Sequence, residues 1–302
     1  VPGARGSAED DQLETDQKET GGRPLDTCRL ILVGFRNEFP QYANPLRSPR
    51  LALRIGLIPA FPLAGEWIDW RNNLLPLHVL RSDTEVVYCP VRDGGLLQDS
   101  TYETLLFDGY MAEAGLEAEA QGIDAIVIDT VSDTGVAALR SQLSIPVVAP
   151  GLAGYALAMQ LGRRFSIVTE WRGWRFLNQL PLEGHYGLGG HCASVRALDI
   201  EPAVVAEFTG VLEARATIEK DPDEAFGALL AEARRAIDDD GADTIILGSL
   251  TMRPAAEYLR ARLDAPVIDP GPLAFTLAEM LAELHLTHFR PAGRQRSARE
   301  AR

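Results

Sequence analysis

The chain has 302 residues, a formal net charge of −14, 46% hydrophobic residues and 24% charged residues. That is ordinary globular composition, long enough for one large or two medium domains. The acidic balance argues against a nucleic-acid partner, because phosphate binding needs a basic face. No run of about 18 apolar residues is present, so no membrane span is expected, and the first residues lack an apolar signal core. A cytoplasmic location follows as the default expectation. Three scattered cysteines, Cys28, Cys89 and Cys192, form no metal-binding spacing. No metal and no cofactor are expected: no Gly-x-Gly-x-x-Gly follows a strand, and the only lysines, Lys18 and Lys220, sit in unconvincing contexts for a Schiff base.

In chain order, residues 1–26 carry an excess of Asp and Glu and read as a disordered acidic tail. Cys28-Arg-Leu-Ile-Leu-Val33 reads as a buried parallel strand. Residues 35–80 hold six prolines and irregular apolar positions. They suggest a lid-like insertion or subunit contact, or else a helix covering a sheet edge. A strand is expected at 84–89 and a helix at 101–121, stopped by Gly122. Strand 124–129, helix 134–143 and strand 146–149 follow. The pattern restarts with a strand at 164–169, which matches Arg29–Gly34, and a helix carrying Trp171 and Trp174. Strand 193–200, helix 222–239, strand 243–248, helix 254–263, strand 266–269 and helix 272–286 complete it. Residues 291–302 form a frayed basic tail.

The central signal is an internal repeat. Asp124-Ala-Ile-Val-Ile-Asp-Thr130 recurs as Asp243-Thr-Ile-Ile-Leu-Gly-Ser249, and Pro146-Val-Val-Ala-Pro-Gly151 recurs as Pro266-Val-Ile-Asp-Pro-Gly271. Strands alternating with helices, in the same order twice, predict α/β architecture: two doubly wound parallel-sheet domains related by a pseudo-twofold. The first comprises 27–150 plus 270–290, the second 151–269. Ligands in such sheets bind beyond the carboxyl ends of strands, so the active site is expected in the cleft between the domains, marked by Thr130 and Ser249.

Ala125-Ile-Val-Ile-Asp-Thr-Val-Ser-Asp-Thr-Gly135 and Ile246-Leu-Gly-Ser-Leu-Thr-Met252 resemble the two active-site segments of the aspartate/glutamate racemase superfamily, in its hydantoin racemase branch. Tyr186-Gly-Leu with Cys192-Ala-Ser-Val-Arg196 resembles a further segment of that branch. The resemblance implies a cofactor-independent enzyme, a small-molecule substrate and a homo-oligomer. It also implies a pair of cysteines that remove and return a proton on opposite faces of a carbon next to a carbonyl. This chain has Thr130 and Ser249 at those two places, and Phe35-Arg36-Asn37 where the family has an Asn-Pro-Asn loop. Hydroxyls are far weaker acids than thiols, which argues against two-thiol racemisation.

Thr130 and Ser249 instead suit the anchoring of a carboxylate or developing oxyanion. A proton-transfer group must then come from elsewhere. Asp129 and Asp133 are candidate bases, with Asp133 alternatively capping the helix near Thr134. Glu170 ends the restarted strand and is a base candidate or a solvated helix start. Tyr186 and His191 are candidate acids or packing residues. Asn37, Ser132, Thr169, Leu250 and Thr251 complete the expected substrate contacts. The functional expectation is an enzyme acting on a small carboxylate or cyclic amide through an enolate-like or oxyanionic state, of isomerase or lyase type. The alternatives are a ligand-binding sensor that kept the pocket and a hydrolase using a Ser or Thr hydroxyl.

Overall fold

The computed structural model describes residues 52–59, 62, 66–94, 100–170, 186–198 and 221–289. The Cys28–Val33 run, Asn37, both tails and the Trp171–Trp174 segment lie outside them. Among these residues, short, β-branched runs form eight strands, all paired in parallel. In one sheet β1 (Leu53–Ile58) lies between β2 (Thr84–Tyr88) and β3 (Ala125–Ile128), and β4 (Val147–Val148) follows β3. In the other, β5 (Phe165–Thr169) lies between β6 (Cys192–Ala197) and β7 (Thr244–Leu247), and β8 (Val267–Ile268) follows β7. The strands are continuous apolar runs because helices cover both faces. The protein thus consists of two parallel-sheet α/β halves with the same strand order.

Among the described residues there are seven α-helices: α1 (Glu66–Asn73), α2 (Thr101–Ala120), α3 (Val136–Gln142), α4 (Pro150–Leu161), α5 (Pro222–Asp238), α6 (Arg253–Arg260) and α7 (Pro270–Glu283). Strand periodicity divides each sheet into two faces. Ile58, Ile126 and Ile128 pack with Met111, Ala114, Val136 and Leu139 of α2 and α3. Ile55, Leu57, Val127 and Val148 pack instead with Ala274, Phe275 and Ala278 of α7. Conversely Tyr155 and Ala158 of α4 pack with Phe165, Ile167, Ile246 and Ile268 of the second sheet. Each half therefore sends the helix after its last strand onto the other half's sheet.

Two elements differ from the sequence reading. Residues 53–58, placed there within a lid-like insertion, form β1 at the centre of the first sheet. The partner of the restarted strand is therefore β1, not Cys28–Val33. Arg54 donates to the Gln121 carbonyl as Arg164 donates to the Asp240 carbonyl, and β1 pairs with β3 as β5 pairs with β7. The prolines that made 35–80 look irregular flank this strand without interrupting it. The second difference is α4, which the sequence reading passed over. Pro150 occupies its first turn, where a missing N–H is harmless. Gly151 is required there, because a Cβ would come within 2.2 Å of the Val131 carbonyl oxygen.

Candidate active site

The site is built where β3 and β7 end. Thr130 lies two residues beyond Ile128, and Ser249 two beyond Leu247. The residues that follow them, Val131 and Leu250, are both buried in the apolar cluster under α7. That shared core draws the two strand-end turns together. Leu250 is thus a core side chain, 3% exposed.

The two hydroxyls are not equivalent. Ser249 is buried; its Oγ lies 2.8 Å from Thr251 Oγ1 and accepts from the Thr251 N–H at 3.2 Å. In the first half the residue matching Thr251 is Ser132, and its hydroxyl turns away to Thr134 Oγ1 at 2.8 Å. In the second half Arg253 stands at the position matching Thr134 and reaches the Leu75 carbonyl instead. Among the described residues Thr130 Oγ1 is sealed from solvent with no hydrogen-bond partner, as is Thr169 Oγ1 at the end of β5. Buried hydroxyls are nearly always bonded, so these two are exceptions, each at a strand end.

The carboxylates divide clearly. Asp129 is locked to Arg71 of α1 by two bonds of 2.8 and 2.6 Å, and both side chains are almost fully enclosed (8% and 2% exposed). Burial opposes the Arg71 charge, but Asp129 outweighs it and the guanidinium is held even more firmly protonated than usual. Asp129, a candidate base from sequence, is thus engaged by a buried guanidinium. Arg71 Nη1 and Tyr88 OH remain buried without partners beside it. Arg71 was not singled out in the sequence, because it lies in the proline-rich stretch and carries no motif.

Asp133 does not cap α3, which starts at Val136 after a left-handed Gly135. Its own backbone is left-handed, at φ 55°. This aims the carboxylate at the start of α4, where it accepts from Gly151 N and Leu152 N, both at 2.8 Å. The helix N-terminus favours the negative charge. Tyr186 donates its hydroxyl to the same carboxylate at 2.8 Å. Burial nevertheless dominates and pushes the Asp133 carboxyl up to about 6. The same enclosure, with Asp133 adjoining, pushes the Tyr186 phenol far above its ordinary value. The Asp133 carboxylate is thus fully engaged by the start of α4 and by Tyr186. The matching turn in the second half is simpler: Asp269 caps α7 by accepting from Gly271 N at 3.0 Å.

Glu170 differs from the other acids. It follows β5 directly, and among the described residues no hydrogen bond or ion pair engages it. Although its edge touches solvent, burial pushes its carboxyl up to about 7. Val168 pairs with Leu247, so Glu170 and Ser249 leave adjacent strands at the same level. His191, a candidate acid from sequence, sits in a short exposed turn at 189–191. Cys89 is buried and its thiol is pushed up to about 11, while Cys192 donates to the Ser194 carbonyl. The Cys89 thiol is therefore not activated. Among the described residues no cluster of three or more His, Cys, Asp or Glu could hold a metal ion, and no helix is long and apolar enough to cross a membrane.

Two halves of parallel sheet, interlocked by exchanged helices and with paired strand-end turns, define a racemase-type α/β protein. Residues 72–278 match the Asp/Glu/hydantoin racemase family, and the chain belongs to it. It is 34% identical to a hydantoin racemase of Rhizobium meliloti over 59% of this chain and 68% of that one. A hydantoin racemase of Pseudomonas sp. (strain NS671) is 31% identical over 68% of this chain and 76% of its own. Among solved structures, allantoin racemase from Pseudomonas fluorescens superposes with a TM-score of 0.66 at 26% identity, covering 82% of this chain and 100% of that one.

Proposed function

We propose that this racemase-superfamily chain is a cofactor-independent enzyme acting on a cyclic amide or a small carboxylate through an enolate-like or other oxyanionic state. Its chemistry is of isomerase or lyase type and does not use two thiols. The observation that carries this reading is Thr130 Oγ1, a buried hydroxyl with no partner at the end of β3. Such a group can donate to a charge that develops only during reaction, which is where hydrogen bonds accelerate most. Ser249, tied to Thr251, shapes the other side of the pocket. The hydantoin and allantoin racemase names of the relatives favour the cyclic amide of the two substrate classes. A Ser-nucleophile hydrolase finds less support, since the Ser249 hydroxyl is committed to Thr251 and His191 faces solvent.

The test is turnover of 5-substituted hydantoins, amino acids and small carboxylates, followed by chiral chromatography and by loss of the carbon-bound proton signal in deuterated buffer. Thr130→Ala should lower turnover by about a hundredfold or more, with Ser249→Ala also impaired and both folds intact. If both variants turn over like the wild type, the assignment of the pocket is wrong. The double change Thr130→Cys with Ser249→Cys should introduce racemisation.

A further inference from the structure

The repeat is symmetric in its scaffold and asymmetric in its ionisable groups. Beyond β5 stands Glu170, whereas the matching residue beyond β1 is Ala60, which has no ionisable group. The other carboxylates near the strand ends are committed: Asp129 to Arg71, Asp133 to α4 and Tyr186, and Asp269 to α7. Among the described residues Glu170 is the strand-end carboxyl left without a partner. It lies on the Ser249 side, while the free hydroxyl of Thr130 belongs to the other half.

We infer that Glu170 is the catalytic residue carrying the proton, and that it serves one face of the substrate only, so this chain exchanges a carbon-bound proton with retention of configuration. The inference rests on the pocket reading above. In the step, ionised Glu170 takes the proton from the carbon next to a carbonyl. The C–H electron pair moves into the carbon–carbon bond and the carbonyl pair onto oxygen, and that oxygen accepts a hydrogen bond from Thr130. Glu170, now neutral, exchanges its proton with solvent and returns one to the same carbon from the same side. Among the described residues the strand-end carboxyls of the other half, Asp129 and Asp133, are engaged by Arg71 and by α4 with Tyr186, so inversion has no unengaged donor. Desolvation favours the scheme by keeping the carboxyl near neutrality, where both protonation states are populated at working pH.

The experiment incubates the full chain with each enantiomer of 5-benzylhydantoin in deuterated buffer, following deuterium at C5 by NMR and configuration by chiral chromatography. Exchange in one enantiomer without inversion is the expected result. Its rate should rise as pH approaches about 7 and then level. Glu170→Gln should lower exchange by about a hundredfold or more with hydantoin affinity changed only slightly, and Glu170→Asp should restore part of it with a shifted pH profile. Interconversion of the enantiomers by the wild type would overturn the one-face inference while leaving the pocket reading intact. Undiminished exchange in Glu170→Gln would overturn the role of Glu170. Exchange of neither enantiomer would also overturn the proposal. Calorimetric binding of the same hydantoin to Thr130→Ala and wild type then separates the two readings: weakened binding keeps the pocket, equal binding removes it.

Discussion

Tyr186, from the segment leading into β6, donates its hydroxyl to Asp133 Oδ2 at 2.8 Å and so ties the second half to the turn after β3. The same carboxylate holds the first two free amides of α4, the helix that crosses onto the second sheet. Tyr186→Phe should therefore destabilise the fold by about 1.5–3 kcal/mol, the range for a hydrogen bond to a charged group. Urea unfolding at neutral pH measures it.

The Asp133 carboxyl also predicts a pH dependence. Its folded value, about 6, lies above the ordinary 3.8, so between those values the native state holds a proton that the unfolded chain has released. Stability from this residue falls as pH rises from about 4 to about 6 and then levels. Unfolding curves across that window, compared between wild type and Asp133→Asn, should differ in slope in this sense.

Gly151 lies where Asp133 grips α4. An added Cβ would meet the Val131 carbonyl oxygen at 2.2 Å and Asp133 Oδ2 at 2.8 Å. Gly151→Ala should cost about 3 kcal/mol or more, since backbone and not a flexible side chain must move. Gly190→Ala, where a Cβ meets nothing within 4 Å, is the control and should stay within about 0.5 kcal/mol.

The Arg71–Asp129 pair predicts a strong imbalance between single and double changes. Arg71→Ala leaves a buried carboxylate unpaired and should cost about 3–5 kcal/mol. Replacing both partners with apolar residues, Arg71→Met with Asp129→Leu, should cost much less than the sum of the single changes. A double-mutant cycle in urea reads the coupling.

Leu250 distinguishes core from pocket. As a side chain 3% exposed and packed in the cluster of Phe275 and Ile55, its change to Ala should cost about 2–5 kcal/mol. A residue that served only to touch substrate would show no such loss in a thermal melt.

The edge of β4 provides a second pH effect, of opposite sign. His288 Nε2 accepts from Val147 N at 2.7 Å, and burial with Arg140 nearby lowers the imidazole to about 4. Because that lies below the ordinary 6.5, this residue's contribution is present above about 6.5 and is lost as pH falls toward 4. His288→Gln keeps an acceptor and should remove that slope from the unfolding free energy.

The sequence by itself was enough for the class of fold, because strand and helix periodicities are local and the repeat states them twice. It also located Thr130 and Ser249, since each ends a strongly apolar run. β1 escaped because prolines on either side of it masked a run whose partner strands are remote in sequence. α4 escaped because Pro150, Gly151 and Gly154 look like loop residues until the neighbouring backbone shows that nothing larger fits. The roles of the acids were likewise not legible. Asp129, Asp133 and Glu170 are alike as residue types, and only the folded chain supplies Arg71 to the first, a helix start and Tyr186 to the second and, among the described residues, nothing to the third. Local pattern determines where strands end. Which groups there are free to react depends on long-range partners, and those exist only once the halves have interlocked.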